Sequence, residues 1–266
     1  MASAAPLAPA PVWHDASSGG AAVRDTAGEL VYAIGDVHGC YGLLQALLAR
    51  IAADADGRAG GRRPVLVLLG DYVDRGPHSA QVIEAILWLR RHAPFEVHLL
   101  KGNHEQGLLD FIDDPAAGAR WLKFGAEQTF SSYGVAPPAS DEPAELVRVR
   151  DDLLERMPAA HLQLLRTLEM IVEIGDYAFV HAGVRPGRPL SDQTDEDMMW
   201  IRRGFLDHAG ALPRLIVHGH SWDDEHPQIC ANRIGIDTGA YSTDTLTALM
   251  LDGAHASYTQ VEASQS

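Results

Sequence analysis

The chain has 266 residues, 46% of them apolar, enough for one large domain or two small ones around a sizeable core. Its formal net charge of -15, from 36 acidic against 21 basic side chains, works against non-specific binding to nucleic acid or anionic membranes. Two cysteines, Cys40 and Cys230, exclude a disulfide framework, and no apolar run approaches the ~20 residues of a membrane span. A reducing, cytoplasmic setting is therefore expected, with neither nucleic acid nor membrane as partner.

The first residues (MASAAPLAPAPVWHDASSGGAA) lack a charged start and a continuous apolar stretch, so they make a poor signal peptide. Their Ala, Pro, Ser and Gly content predicts a flexible arm over residues 1–28 with no fold of its own. One domain is expected over 29–262. Its first strand, Glu29–Ile34, ends at Gly35-Asp36-Val37-His38-Gly39. Apolar residues at helical spacing predict a helix over Tyr41–Ala53, followed by a loop to Arg63. Cys40, just before that helix, is read as a packing residue.

Val65–His78 (VLVLLGDYVDRGPH) is the most informative stretch. A run of branched apolar residues reads as a strand buried on both faces, Pro64–Leu69. Gly70 breaks it, and Asp71, Asp74 and Arg75 follow at once. Acids and a guanidinium at the end of a buried strand do not help a core; they suit a place where cations and phosphate meet. A helix over Ser79–His92 comes next, with Ser79 as N-cap and Arg90, Arg91 and His92 complementing the C-terminal dipole. The strand Phe95–Leu100 runs into Lys101-Gly102-Asn103-His104-Glu105. This β-α-β-α-β order predicts three parallel neighbours with polar clusters at their carboxyl ends, where ligands gather in such sheets.

Leu108–Leu165 reads as mostly helical, punctuated by prolines. It is expected to be an insertion or cap, with Val135–Pro143 as a mobile loop. Trp121, Phe124, Phe130 and Tyr133 are assigned to helix packing rather than to a substrate groove. Strands return at Leu168–Ile174 and Tyr177–Val180 around a Gly175-Asp176 turn, ending at His181. A short helix is expected around Asp195–Leu206, then a strand Leu215–Val217 ending at His218-Gly219-His220. Arg233–Ile236, Leu246–Leu251 and Ala256–Val261 close the chain as strands.

Five strand ends thus carry Asp36/His38, Asp71/Asp74/Arg75, Asn103/His104, His181 and His218/His220. Carboxylate and amide oxygens mixed with imidazole nitrogens suit Mn²⁺, Fe or Zn²⁺ and exclude a thiolate zinc site. Two ions roughly 3.5 Å apart need a shared ligand, which one carboxylate can be.

GDVHG (35–39), GDYVDRG (70–76), GNHE (102–105), HAG (181–183) and HGH (218–220) together resemble the calcineurin-like metallophosphoesterases of the phosphoprotein phosphatase type, and most closely their bacterial members. The resemblance spans about Val31–Leu251. It implies an α/β fold, a sandwich of two mixed sheets flanked by helices, with a helical insertion at about 108–165. It implies two divalent metal ions, Mn²⁺ first, with Fe or Zn as alternatives. One would be held by Asp36, His38 and Asp71, the other by Asp71, Asn103, His181 and His220. His104 matches the leaving-group acid, Asp74 the carboxylate that orients it, and Arg75 a phosphate clamp. Arg202 is favoured over Arg203 as a second clamp, and His218 is read as supporting or structural.

The resemblance points first to phosphoserine or phosphothreonine in proteins or peptides as the substrate, with a nucleotide polyphosphate, as for the symmetrical diadenosine tetraphosphate hydrolases, as the alternative. Glu105 in GNHE and Tyr72 in GDYVDRG look more like the protein phosphatases. The acidic segment Ser221–Ile229 departs from relatives and is read as a solvated loop. A non-catalytic phosphate-binding module is disfavoured, because a binder gains nothing from a leaving-group acid.

Overall fold

The computed structural model describes residues 12–17 and 24–263. The elements are β1 (His14–Asp15), β2 (Leu30–Ile34), α1 (Tyr41–Arg58), β3 (Val65–Leu68), α2 (Ser79–His92), β4 (Glu96–Leu99), α3 (Asn103–Asp113), α4 (Ala126–Ser132), α5 (Pro143–Arg156), α6 (Ala159–Leu165), β5 (Ile171–Ile174), β6 (Tyr177–Val180), α7 (Asp195–Trp200), β7 (Leu215–His218), β8 (Gln228–Ile229), β9 (Arg233–Gly235), α8 (Ala240–Thr243), β10 (Thr245–Asp252) and β11 (His255–Glu262). A 3₁₀ segment, Ala117–Phe124, joins α3 to α4.

Two mixed sheets result, ordered β1-β11-β10-β2-β3-β4 and β5-β6-β7-β9-β8. The period-2 alternation of each strand assigns its residues to two different cores. Val31, Ala33, Val65 and Val67 face Phe179, Val217 and Ile234 across the sandwich. Leu30, Tyr32, Ile34, Leu66 and Leu68 face the helices on the outer side. A smaller cluster, with Val180, Ile216, Met198 and Phe205, covers the other sheet. Both faces of each sheet are therefore covered, which is why β2 and β3 read as unbroken apolar runs. β2, β3 and β4 are parallel neighbours, and so are β6, β7 and β9. All six strands point their carboxyl ends toward one rim.

Several expectations need correction. Part of the 1–28 arm is folded: His14 and Asp15 pair antiparallel with Tyr258 and Ser257, and Ala16 is buried. Trp13 packs 6.0 Å from Tyr32, and this apolar anchor is what the small-residue composition hides. Residues 1–11 and 18–23 lie outside the described residues. Helix α1 runs on to Arg58, because Ala55 extends its buried stripe and Asp54 accepts from Arg58 and from the Tyr32 hydroxyl. Ser79 is not the N-cap; His78 holds that place, and the Ser79 hydroxyl accepts from the Asp74 amide instead. Helix α7 stops at Trp200, capped at its start by Thr194, whose hydroxyl accepts from the Asp197 amide at 3.1 Å. The acidic segment contains the short edge strand β8, although Asp223, Asp224, Glu225 and His226 are exposed as expected. Among the described residues, no helix is long and apolar enough to cross a membrane.

Candidate metal centre and its phosphate pocket

The chain turns sharply as it leaves each strand. Seven non-glycine residues among those described have positive φ, and five of them are His38, Asp71, Asp74, Arg75 and His220. Left-handed backbone is unfavourable for side chains with a Cβ, and it persists where surrounding bonds over-determine it. Here Glu105 supplies those bonds. Its fully buried carboxylate accepts from the amides of Asp71 (2.9 Å), Tyr72 (2.7 Å), Val73 (3.2 Å) and Gly102 (3.0 Å). Glu105 thus fixes the loop that carries Asp71 to the helix that carries Asn103 and His104. Glu105→Ala strands four buried donors and is expected to cost about 3–5 kcal/mol. The check is the urea midpoint, which should fall well below that of the unchanged chain.

Packing against the loops is equally close. A methyl group at Gly102 would lie 2.0 Å from Asp71 Oδ1, and one at Gly219 2.0 Å from Asp36 Oδ1. Gly219→Ala is accordingly expected to displace Asp36 and lower bound metal and turnover together. Metal analysis beside an unchanged circular dichroism spectrum tests this.

Asp36, His38, Asp71, Arg75, Asn103, His104, Arg202 and His220 all line one pocket of about 110 Å³ between the two sheets. Donor atoms of His38, Asp71 and His104 lie within 4.8 Å of one another, and so do those of Asp71, His181 and His220. Asp71 is common to both groups. The first group holds His104 where Asp36 was expected; Asp36 lines the same pocket, its Oδ2 accepting from the His220 amide at 3.0 Å.

The imidazoles are set up as acceptors. His38 Nδ1 donates to Val73 O and His181 Nδ1 to Leu69 O, both at 2.8 Å. A carbonyl only accepts, so these bonds fix the proton on Nδ1 and leave Nε2 bare. Each Nε2 lies 3.5 Å from Asp71 Oδ2, and His181 Nε2 also lies 3.0 Å from Asn103 Oδ1. Burial pushes His38 down to about 3 and His220 to about 2, so both rings are neutral at neutral pH. Asp36 is pushed up by burial and by the charges of Asp237 and Asp71, and its Oδ1 is buried without a partner. The bare Nε2 lone pairs of His38 and His181 thus face the Asp71 carboxylate with no proton between them, which is unfavourable in a low-dielectric pocket unless cations lie there. The donor set fits divalent metal ions.

Beside these donors, His104 Nδ1 donates to Asp74 Oδ2 at 2.6 Å. Burial lowers the affinity of His104 for a proton, but the carboxylates of Asp71 and Asp74 outweigh it and raise the ring above its ordinary range. Asp74 is fully buried and held by Trp121 Nε1 and the Thr129 hydroxyl, each at 2.6 Å. The helical middle of the chain therefore braces the His104–Asp74 pair, a role that packing alone does not describe. Of the four aromatics assigned to packing, Phe130 and Tyr133 are core, Trp121 both packs and donates to Asp74, and Phe124 lines the pocket.

Arg75 stacks on Tyr241, 4.5 Å from its ring centre, and bonds its hydroxyl. Arg202 lines the pocket and donates to His220 Nε2 (3.1 Å) and His220 O (3.0 Å), whereas Arg203 does not line it. His218 is not in the pocket: its ring packs 5.1 Å from Phe205, and its Nδ1 faces Gly219 O. The wall residues Asp237, Trp200 and Trp222 were missed, and so was Tyr241, which holds Arg75. Asp237, pushed up to about 7 by burial, follows β9 as Asp36 follows β2, so the strand-then-acid pattern was a usable signal. Tyr241 had none, since nothing nearby in sequence marks it.

The sequence profile of the calcineurin-like phosphoesterases matches residues 30–234, and the chain belongs to that family. Members use a dinuclear metal site, and the chain is a metal-dependent phosphoric ester hydrolase. It is 28% identical over 241 residues to the bis(5'-nucleosyl)-tetraphosphatase PrpE [asymmetrical] of Geobacillus thermodenitrificans, covering 81% of this chain and 88% of that one. It is 33% identical over 189 residues to the symmetrical bis(5'-nucleosyl)-tetraphosphatase of Methylococcus capsulatus, covering 71% of this chain and 51% of that one. A solved protein serine/threonine phosphatase from Saccharomyces cerevisiae shares the fold, with TM-score 0.56 and 16% identity over 91% of this chain and 82% of that chain.

Proposed function

We propose that the chain hydrolyses dinucleoside polyphosphates, as the bis(5'-nucleosyl)-tetraphosphatases do by name, using two divalent cations. The observation that carries this reading is one buried carboxylate, Asp71, shared by two histidine groups, in a chain whose relatives over 81% of its length are named for such substrates. The preference for phosphoproteins rested on Tyr72 and Glu105. Both are buried, and neither faces the pocket: the Tyr72 hydroxyl bonds Leu68 O and Leu100 O, and Glu105 binds loop amides. They report on the scaffold and not on the substrate.

Asp36, His38 and Asp71 would hold one cation, and Asp71, Asn103, His181 and His220 the other. Two divalent ions bound there would supply Lewis-acid charge and lower the pKa of an attacking water, whose attack an anionic phosphate ester or anhydride otherwise resists. Arg75 and Arg202 grip the remaining phosphoryl oxygens with planar donor forks and follow their charge into the transition state. Tyr241 holds the Arg75 fork in place. His104, fixed by Asp74, presents Nε2 to the leaving oxygen and delivers a proton to it. No side chain acts as nucleophile, so hydrolysis is one direct displacement with inversion at phosphorus.

The test is turnover on diadenosine tetraphosphate, a phosphoserine peptide and a phosphotyrosine peptide, side by side with added Mn²⁺. The highest kcat/KM is expected on the dinucleotide; a higher value on either peptide overturns this substrate assignment. EDTA is expected to abolish all turnover, with Mn²⁺ restoring most of it.

A further inference from the structure

A second cavity, of about 430 Å³, opens directly beside the phosphate pocket. The two share Asn103, His104, Phe124 and Trp200 as walls. The inner pocket, at about 110 Å³, has room for little more than a phosphoryl group. The outer one falls within the ~300–1,000 Å³ typical of small-molecule clefts. Because His104 stands at the junction, whatever fills the outer cavity is attached to the leaving oxygen.

Its walls have a definite chemistry. Phe124 and Trp200 stand edge to face, with ring centres 6.4 Å apart. Arg120 lies 5.8 Å from the first ring and 5.9 Å from the second. Trp200 is 39% exposed and lines this cavity. Asp110 and Glu196 complete the rim. Two carboxylates repel a phosphate chain, yet they accept well from hydroxyls and exocyclic amines. An aromatic platform with acceptors around it suits an uncharged, flat, amine-bearing group.

We propose that this cavity is the subsite for the nucleoside of the departing nucleotide, its base against Phe124 and Trp200. The proposal rests on the dinucleotide reading above, and it names the group that reading leaves unplaced. Helix α3, the 3₁₀ segment and the start of α7 thereby select the leaving group, while the strand ends hold the phosphate.

Calorimetric titration with adenosine tests it apart from catalysis, since adenosine carries no phosphate and needs no metal. The unchanged chain is expected to bind adenosine, and Trp200→Ala to weaken binding about tenfold, with Trp200→Phe retaining most of it. Ala117→Trp, which fills the cavity from its exposed wall, is expected to abolish adenosine binding and raise KM for diadenosine tetraphosphate about tenfold. It should leave the Ki of tripolyphosphate within twofold. No adenosine binding by the unchanged chain, or equal losses for tripolyphosphate in Ala117→Trp, overturns the proposal. Failure to hydrolyse diadenosine tetraphosphate while adenosine still binds overturns the dinucleotide reading and leaves the subsite standing.

Discussion

Asp71→Asn is expected to remove bound metal and turnover together, with kcat falling about a thousandfold or more. The change is nearly isosteric, so packing around the loop is retained. What it removes is the carboxylate common to both histidine groups, and with it the balance for two cations. His38 Nε2 and His181 Nε2, each 3.5 Å from Asp71 Oδ2, would then face an amide in place of a carboxylate. Metal content by mass spectrometry, read beside turnover, decides the matter. A variant that still carries two ions per chain would show that the ligands have been assigned wrongly.

His104→Asn is expected to separate substrates by their leaving groups. An alkoxide is a poor leaving group, and losing the proton donor there should cost about 10²–10⁴ in kcat. A nucleotide leaves as a weakly basic phosphate, which needs much less help, so the loss on diadenosine tetraphosphate should be about tenfold or less. Metal binding should survive, because His104 Nδ1 is committed to Asp74 and its Nε2 lies 3.9 Å from Asp71 Oδ2. Equal losses on phosphoserine peptide and dinucleotide would remove His104 from its role as acid.

Much of this site was legible in the sequence because its residues follow a rule visible in one dimension. A buried parallel strand is an apolar run, and the polar residues after it must lie at its carboxyl end. That rule brought together Asp36, Asp71, Asn103 and His220, which the structure places on one pocket, and His181, which lies against Asp71 and Asn103. It failed where position depends on the third dimension. Thr129 and Trp121 bond Asp74 from a segment with no strand to point them, and Tyr241 reaches Arg75 from a short helix. Glu105 was visible in its motif, but its work of binding three amides of the Asp71 loop was not. The folded part of the N-terminal stretch was missed for a related reason. Two residues of edge strand and one tryptophan do not alter a composition dominated by Ala, Pro, Ser and Gly.

The pocket draws Asp36, Asp71 and Asn103 from one sheet and His220 and Asp237 from the other, with His181 of the second sheet 3.0 Å from Asn103 Oδ1. Whatever cations it takes up therefore rivet two separate layers. Melting temperature should climb with added Mn²⁺ by simple mass action, and a chelator should loosen the seam between the layers before either unravels. In this chain the catalyst doubles as a fastener.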